Sequence, residues 1–356
     1  MSVAISARLP RTLALALAAG AALGCSGPAL AQDAAEIIER LDSADAHERA
    51  MAACELGERG SLAVRTAMPA LLRLLSDGES VEGRLCRDGY GWRRGWHDDS
   101  SPGREAAGAL EELGSEALDP LLGVLRDADP IGRENAALAL GLIEDSRAIP
   151  ELSSSLAGDA TAAVRERAAW ALGMIEDATA IAALSRALGS DTQARVREQS
   201  AWALGMIEDT RGVPALQDAA DDENHEVRKQ TAWALGMIES PRGVDPLVEL
   251  LRDADPKVRE QAAWGLGMVE SPVGVDALVT ALSSDSDADV RKQAAWALGM
   301  IEDPRAAGAL SDALEDPDAD VREQAMWAIG MAVSSSDGGG IEPSELARKL
   351  RRALRE

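Results

Sequence analysis

The chain has 356 residues, 46% of them hydrophobic, with eight Trp, one Tyr, no Phe and a formal net charge of −25. Such an apolar share excludes a disordered chain. The negative charge excludes nucleic acid and anionic lipid as partners held by general electrostatics, and favours a neutral or basic protein or peptide, or a purely solubilising role.

Residues 1–31 read as a secretory signal. Arg8 and Arg11 make a positive start, the twelve residues LALALAAGAALG (13–24) an apolar stretch, and Ala29-Leu30-Ala31 a small-residue cleavage site before Gln32. The stretch is too short to span a bilayer comfortably, which sets a membrane anchor behind export. Lipoprotein processing at Cys25, after the imperfect Ala22-Leu23-Gly24, is a variant of the same export route. The expected location is periplasmic or secreted, with no integral membrane segment left after cleavage. Two cysteines then remain, Cys54 and Cys86, a disulfide candidate in an oxidising compartment; two unrelated buried thiols are the alternative. These cysteines and three scattered His (His47, His97, His225) do not make a zinc site of recognised spacing.

Residues 32–333 are governed by one repeated phrase. AWALGMIED stands at 169–177, 201–209 and 295–303, with close copies between and after. Its tryptophans are Trp170, Trp202, Trp233, Trp264, Trp296 and Trp327, spaced by 32, 31, 31, 32 and 31 residues. Five residues before each stands an arginine: Arg165, Arg197, Arg228, Arg259, Arg291 and Arg322. Six before each arginine stands an aspartate: Asp159, Asp191, Asp222, Asp253, Asp285 and Asp316. Upstream, Asp127, Arg133 and Leu138 continue the series, and Cys54 holds the Trp place after Arg49. Each unit holds two amphipathic segments, such as 243–253 and 256–270, with apolar residues at helical spacing. Pro256 suits a first helical position, Asp253 or Asp255 caps it, and Glu270-Ser271-Pro272 breaks the helix. Such a helix pair buries its apolar face only by stacking on copies of itself, so the expected fold is an all-α solenoid. The Asp/Arg ladder is read as structural, aspartate capping helices and arginine bridging adjacent loops with its five donors.

Residues 77–101 break the period inside the second unit. This insertion carries Cys86, Tyr90, Trp92, Trp96 and His97 among four arginines, and Trp92 and Trp96 are candidate contacts. Residues 334–340, SSSDGGG, read as a flexible linker. Residues 341–356 read as a basic amphipathic helix, with Leu346, Leu350 and Leu354 in a stripe among Arg348, Lys349, Arg351, Arg352 and Arg355. It serves either as a cap on the last repeat or as a contact to a membrane or acidic partner.

The sequence D-x-x-x-x-V-R followed by A-A-x-A-L-G resembles the HEAT repeat, and the 31-residue period is similar to the phycobilisome-lyase HEAT-like family. The resemblance covers roughly residues 33–333 in about nine units and implies a right-handed α-solenoid whose V-R helices line the concave side. It also brings lyase-like or oxidoreductase-like activity as the alternative to a non-catalytic scaffold. Iron hydroxylases among the relatives use repeated His-Glu pairs. Here only His47-Glu48 and His225-Glu226 occur, at different places in their units. Bilin-attaching relatives work in the cytosol, at odds with an export signal. The aspartate runs at 285–289 and 316–320 open like calcium loops, but Val290 or Val321 replaces the glycine and Trp296 or Trp327 the final glutamate. No catalytic residue, cofactor or metal ligand is assigned.

Two readings of the tryptophan row stay open. On a helical wheel Val164, Ala168, Ala171 and Ile175 share one side, Trp170 and Met174 one flank, and Ala169 and Gly173 the other. Stacking then sets large side chains over small ones, which is a packing ladder. Alternatively the row lines a binding groove, with Gln199, Gln230, Gln261 and Gln293 one turn earlier supplying hydrogen bonds. The expected protein is a monomeric scaffold for another protein or peptide.

Overall fold

The computed structural model describes residues 27–82 and 99–335. The described residues form eighteen α-helices paired into nine successive units, from α1 (Gly27–Arg40) to α18 (Ala319–Ser335). The second helices of the units are α2 (Ala46–Glu58), α4 (Pro102–Glu111), α6 (Pro130–Ile143), α8 (Ala162–Ile175), α10 (Ala194–Ile207), α12 (His225–Met237), α14 (Pro256–Val269), α16 (Ala288–Ile301) and α18. Each packs extensively along the second helices of its neighbours, whereas successive first helices touch only sparingly. The second helices therefore form the tighter inner layer, and the array curves around them.

Local chemistry sets the boundaries of each helix. Asp129 accepts from the amides of Ile131 and Gly132, Asn224 from Glu226 and Val227, and Asp255 from Lys257, just ahead of α6, α12 and α14. Pro130 and Pro256 follow as first helical residues, where a missing N–H costs nothing. Each helix of the series stops on a glutamate in the left-handed region: Glu144, Glu176, Glu208, Glu239, Glu270 and Glu302, with φ between 51° and 58°. Glycine is usual at such a stop, and a side chain there costs about 1–2 kcal/mol. The next residue, Asp or Ser, then caps a short 3-10 turn that leads into the following first helix.

One continuous core runs from Ile37 to Ile329, built almost wholly from Ala, Leu, Val and Ile. Alanines on the inner helices let their backbones approach closely, and leucines of the first helices fill the space behind.

The insertion enters between α3 (Ser61–Leu74) and α4. Its base is a two-residue antiparallel ribbon, β1 (Val81–Glu82) with β2 (Asp99–Ser100), pairing Val81 with Ser100 and Glu82 with Asp99. This ribbon departs from an all-helical chain, because the entering and leaving strands of the loop must run side by side. Val81 is buried against Ala46 and Ala50 of α2. Trp92, Trp96 and Cys86 lie outside the described residues, as do residues 1–26 with Cys25, the basic segment 341–356 and most of the expected linker. Two boundaries differ from expectation. Helix α1 starts at Gly27, inside the expected leader, and α18 runs through Ser335, so the first two linker residues are helical.

The inner helical layer as candidate functional site

On the inner helices the tryptophan row is built into the stack. A Cβ placed on Gly173 would lie 2.7 Å from Cζ3 of Trp202 and 2.8 Å from Cα of Ala203. The same relation joins Gly141 to Trp170, Gly205 to Trp233, Gly236 to Trp264, Gly267 to Trp296 and Gly299 to Trp327, at 2.6 to 2.8 Å. Each indole thus fills the notch of the preceding unit's glycine. Trp170, Trp202, Trp233, Trp264 and Trp296 are half-buried. Trp327, on the last described inner helix, is 39% exposed. One turn further along each helix stand Met174, Met206, Met237, Met268, Met300 and Met331, all half-buried. Indole edges and thioethers together give the inner face a continuous, partly open apolar stripe.

Three residues before each tryptophan runs the polar row. Gln230, Gln261 and Gln293 are half-buried. Gln199 departs from the open groove expected of it: it is 2% exposed, and its Nε2 has no hydrogen-bond partner among the described residues. Thr231, on the next helix, is fully buried with an equally unpartnered hydroxyl. At the same place α8 carries Arg167, whose guanidinium lies 5.6 Å from the Trp170 ring centroid and 3.6 Å from the Glu134 carboxylate. Arg104 approaches the same carboxylate at 3.9 Å. Sequence reasoning missed Arg167; the signal was an arginine in a row of glutamines. Asn135, in the same row on α6, donates to the carbonyl of Leu75 at 2.8 Å and ties the third unit to the base of the insertion.

Charges along the inner face cancel one another from unit to unit. Lys229 binds Glu226. Lys257 reaches Glu260 at 2.9 Å and Asp289 of the next unit at 3.3 Å, and Lys292 lies 3.4 Å from Asp289 and 3.9 Å from Asp320. Earlier in the array Glu198 lies among charges of both signs, with Lys229 and Arg195 opposing Glu226 and Glu166. Burial, then repulsion from Glu226, pushes the Glu198 carboxyl above its ordinary value, with Glu166 adding to the effect.

The Asp/Arg ladder joins neighbouring units. Arg228 donates through Nε and Nη2 to both carboxylate oxygens of Asp253, at 2.6 and 2.9 Å, and through Nη1 to the Asp222 carbonyl at 2.7 Å. The same fork joins Arg133 to Asp159, Arg165 to Asp191, Arg197 to Asp222, Arg259 to Asp285 and Arg291 to Asp316. Within a unit, as between Arg259 and Asp253, the bond goes to the aspartate's carbonyl instead. Asp253 also accepts from the Asp255 amide, which fixes the loop. Burial opposes ionisation of Asp253, yet the Arg228 fork and that amide hold its carboxyl below the ordinary value. Asp159, Asp191, Asp222, Asp285 and Asp316 follow the same balance.

Cys54 is buried on α2 and disulfide-bonded; the expected pairing with Cys86 falls outside the described residues. His225 lies 3.3 Å from Glu226 and 3.9 Å from Asp255. Among the described residues no group of three or more His, Cys, Asp or Glu is placed to hold a metal ion, and no helix is long and apolar enough to cross a membrane.

A nine-unit stack of helix pairs, bonded unit to unit through arginine and aspartate, defines a solenoid of repeats. The family model for HEAT repeats matches residues 97–161, 118–205, 149–236, 191–255 and 244–330, and the chain belongs to the HEAT-repeat family. Importin beta is 14% identical over 90% of this chain and 51% of its own, with a TM-score of 0.62. Kap95p, whose binding switches the loops of RanGDP, is 16% identical over 93% of this chain and 51% of its own, with a TM-score of 0.61. The CpcE–CpcF phycocyanin lyase complex of Nostoc is 22% identical over 67% of this chain and 93% of its own, at a TM-score of 0.40. For importin beta and Kap95p the likeness is one of fold. No curated protein matches the chain.

Proposed function

We propose that this HEAT-repeat protein is an exported, non-catalytic scaffold that binds another protein or peptide along its inner helical layer. The observation that carries the reading is the stripe of half-buried indole edges and methionines, repeated on every inner helix from α8 to α16. Large, amphipathic indoles and adaptable thioethers suit a partner's apolar side chains. The neighbouring glutamines offer paired donors and acceptors to a partner's backbone. Because the lysines and acids of the middle units satisfy one another, affinity there comes from apolar and hydrogen-bond contact. Importin beta and Kap95p share the fold, and Kap95p binds another protein, RanGDP. Export rests on the leader-like residues 1–31.

The test is capture from envelope extract, followed by purification of the captured protein and titration against two baits. One bait is the parent chain, the other the Met206→Glu/Met237→Glu/Met268→Glu variant, both with matched melting curves. A loss of affinity of about tenfold or more, equivalent to about 1.4 kcal/mol, supports the inner face. Equal affinity removes the inner face from the interaction.

A further inference from the structure

In the row three residues before each tryptophan, two neighbouring inner helices carry donors short of an acceptor. On α8 the place is held by Arg167, where α10, α12, α14 and α16 carry Gln199, Gln230, Gln261 and Gln293. Ladder arginines such as Arg165 and Arg197 each give a two-bond fork to an aspartate, and those bonds raise them above the ordinary arginine value. Arg167 is the opposite case. Burial pushes its guanidinium below the ordinary value; Glu134 opposes this, Arg104 adds to it and Glu166 opposes it. The Glu134 carboxylate is 3.6 Å away, an ion pair longer than a hydrogen bond, and Arg104 shares it at 3.9 Å. The Arg167 side chain is 18% exposed, so its fork is poorly hydrated yet still partly open. On the next helix, the buried Nε2 of Gln199 has no acceptor among the described residues.

We propose that Arg167 takes an acidic side chain of the bound peptide, an aspartate or glutamate standing at one end of the peptide's apolar run. The proposal rests on the inner helical layer being the binding face. A carboxylate meets a guanidinium through two parallel, charge-assisted bonds. The fork is already held for it, because the guanidinium lies over the Trp170 ring, 5.6 Å from the centroid. Its position fixes where the acid stands. Trp170 opens the indole stripe, since α6 carries Leu138 in the tryptophan place. An apolar segment laid along the tryptophans and methionines therefore brings one end to Arg167. The net charge of −25 opposes a generally acidic partner, so the fit is to a single acid in an otherwise neutral or basic segment. With Glu134 and Glu166 close by, a free anion gains little. A carboxylate carried by a docked segment arrives at high effective concentration and gains the fork.

The experiment selects a phage-displayed library of random peptides on the full chain, on Arg167→Gln and on Met206→Glu/Met237→Glu/Met268→Glu. The peptides are fused to the coat protein through their C-termini, so only side chains present carboxylates. Arg167→Gln gives α8 the residue that its neighbours carry at this place, and matched melting curves check its fold. The best peptide from the full chain is then synthesised with an amidated end, beside a copy whose acid is replaced by the corresponding amide. The expected selection is apolar peptides with an acid at one end of the run. The amide copy should bind the full chain about tenfold or more weaker, and Arg167→Gln should bind both copies equally. Selected peptides without an acid at a fixed place, or equal affinity of the two copies for the full chain, overturn the inference. An equal loss on Arg167→Gln also overturns it, because the acid is then read elsewhere. In each of these cases, binding that the methionine variant still abolishes leaves the inner face as the peptide site. Selection unaffected by the methionine variant, or no selection at all, removes both readings.

Discussion

Adding one methyl group at Gly173 tests the indole-over-glycine stack. In an ordinary helix interior, replacing glycine by alanine stabilises by about 1 kcal/mol. Gly123, in the first helix α5 (Leu118–Asp127), is such a site, with nothing within 4 Å of an added Cβ. Gly173→Ala carries the same propensity gain, but its Cβ arrives 2.7 Å from the Trp202 ring and 2.8 Å from the Ala203 backbone. A rigid ring and a main chain cannot step aside as a flexible side-chain tip does, so the two units must separate. Overpacking of this kind costs about 1–3 kcal/mol, and the backbone contact places Gly173→Ala in the upper part of that range. The net expectation is a loss of about 1–2 kcal/mol for Gly173→Ala against a gain of about 1 kcal/mol for Gly123→Ala. Urea midpoints followed by circular dichroism separate the two signs. Stabilisation by Gly173→Ala equal to that of Gly123→Ala would refute the stacked geometry.

Three further outcomes follow from the same structure. Arg228→Met leaves Asp253 with a backbone amide in place of a two-bond fork, and lowers stability by about 2 kcal/mol in urea titration. The ladder aspartates are held below their ordinary values, so their contribution is fully present above the unfolded carboxyl value of about 4. It is lost as pH falls through the lower folded value; melting curves should therefore show the gap between parent and Arg228→Met closing below about pH 4. Glu270→Gly removes a side chain from the left-handed region, at φ 52°, and raises stability by about 1 kcal/mol in the same titration.

Much of the fold was legible because the sequence states it six times over. The Trp and Gly marks of AWALGMIED give the period, and prolines and aspartates mark where helices begin. The ladder's true partners were harder to read. Asp253 stands six residues before Arg259 in the chain, yet its carboxylate pairs with Arg228 of the preceding unit. In near-identical repeats the residue types are the same in either arrangement, and only stacking decides which copy meets which. The left-handed glutamates were read as helix stops without their strained backbone, because glycine is the usual signal there. Gln199 looked like its open counterparts, but the curvature and neighbours that bury it belong to the stack. The ribbon at the base of the insertion has only two residues in each strand, too short to leave a pattern.

On the proposed function, the inner helical layer holds the partner. A photoreactive amino acid placed singly at Met206 and Met268 on the inner layer, and at Arg186 and Glu249 on first helices, tests it most directly. The claim predicts cross-links to the captured partner from Met206 and Met268 alone. Cross-links from Arg186 or Glu249, with none from the inner positions, would contradict it.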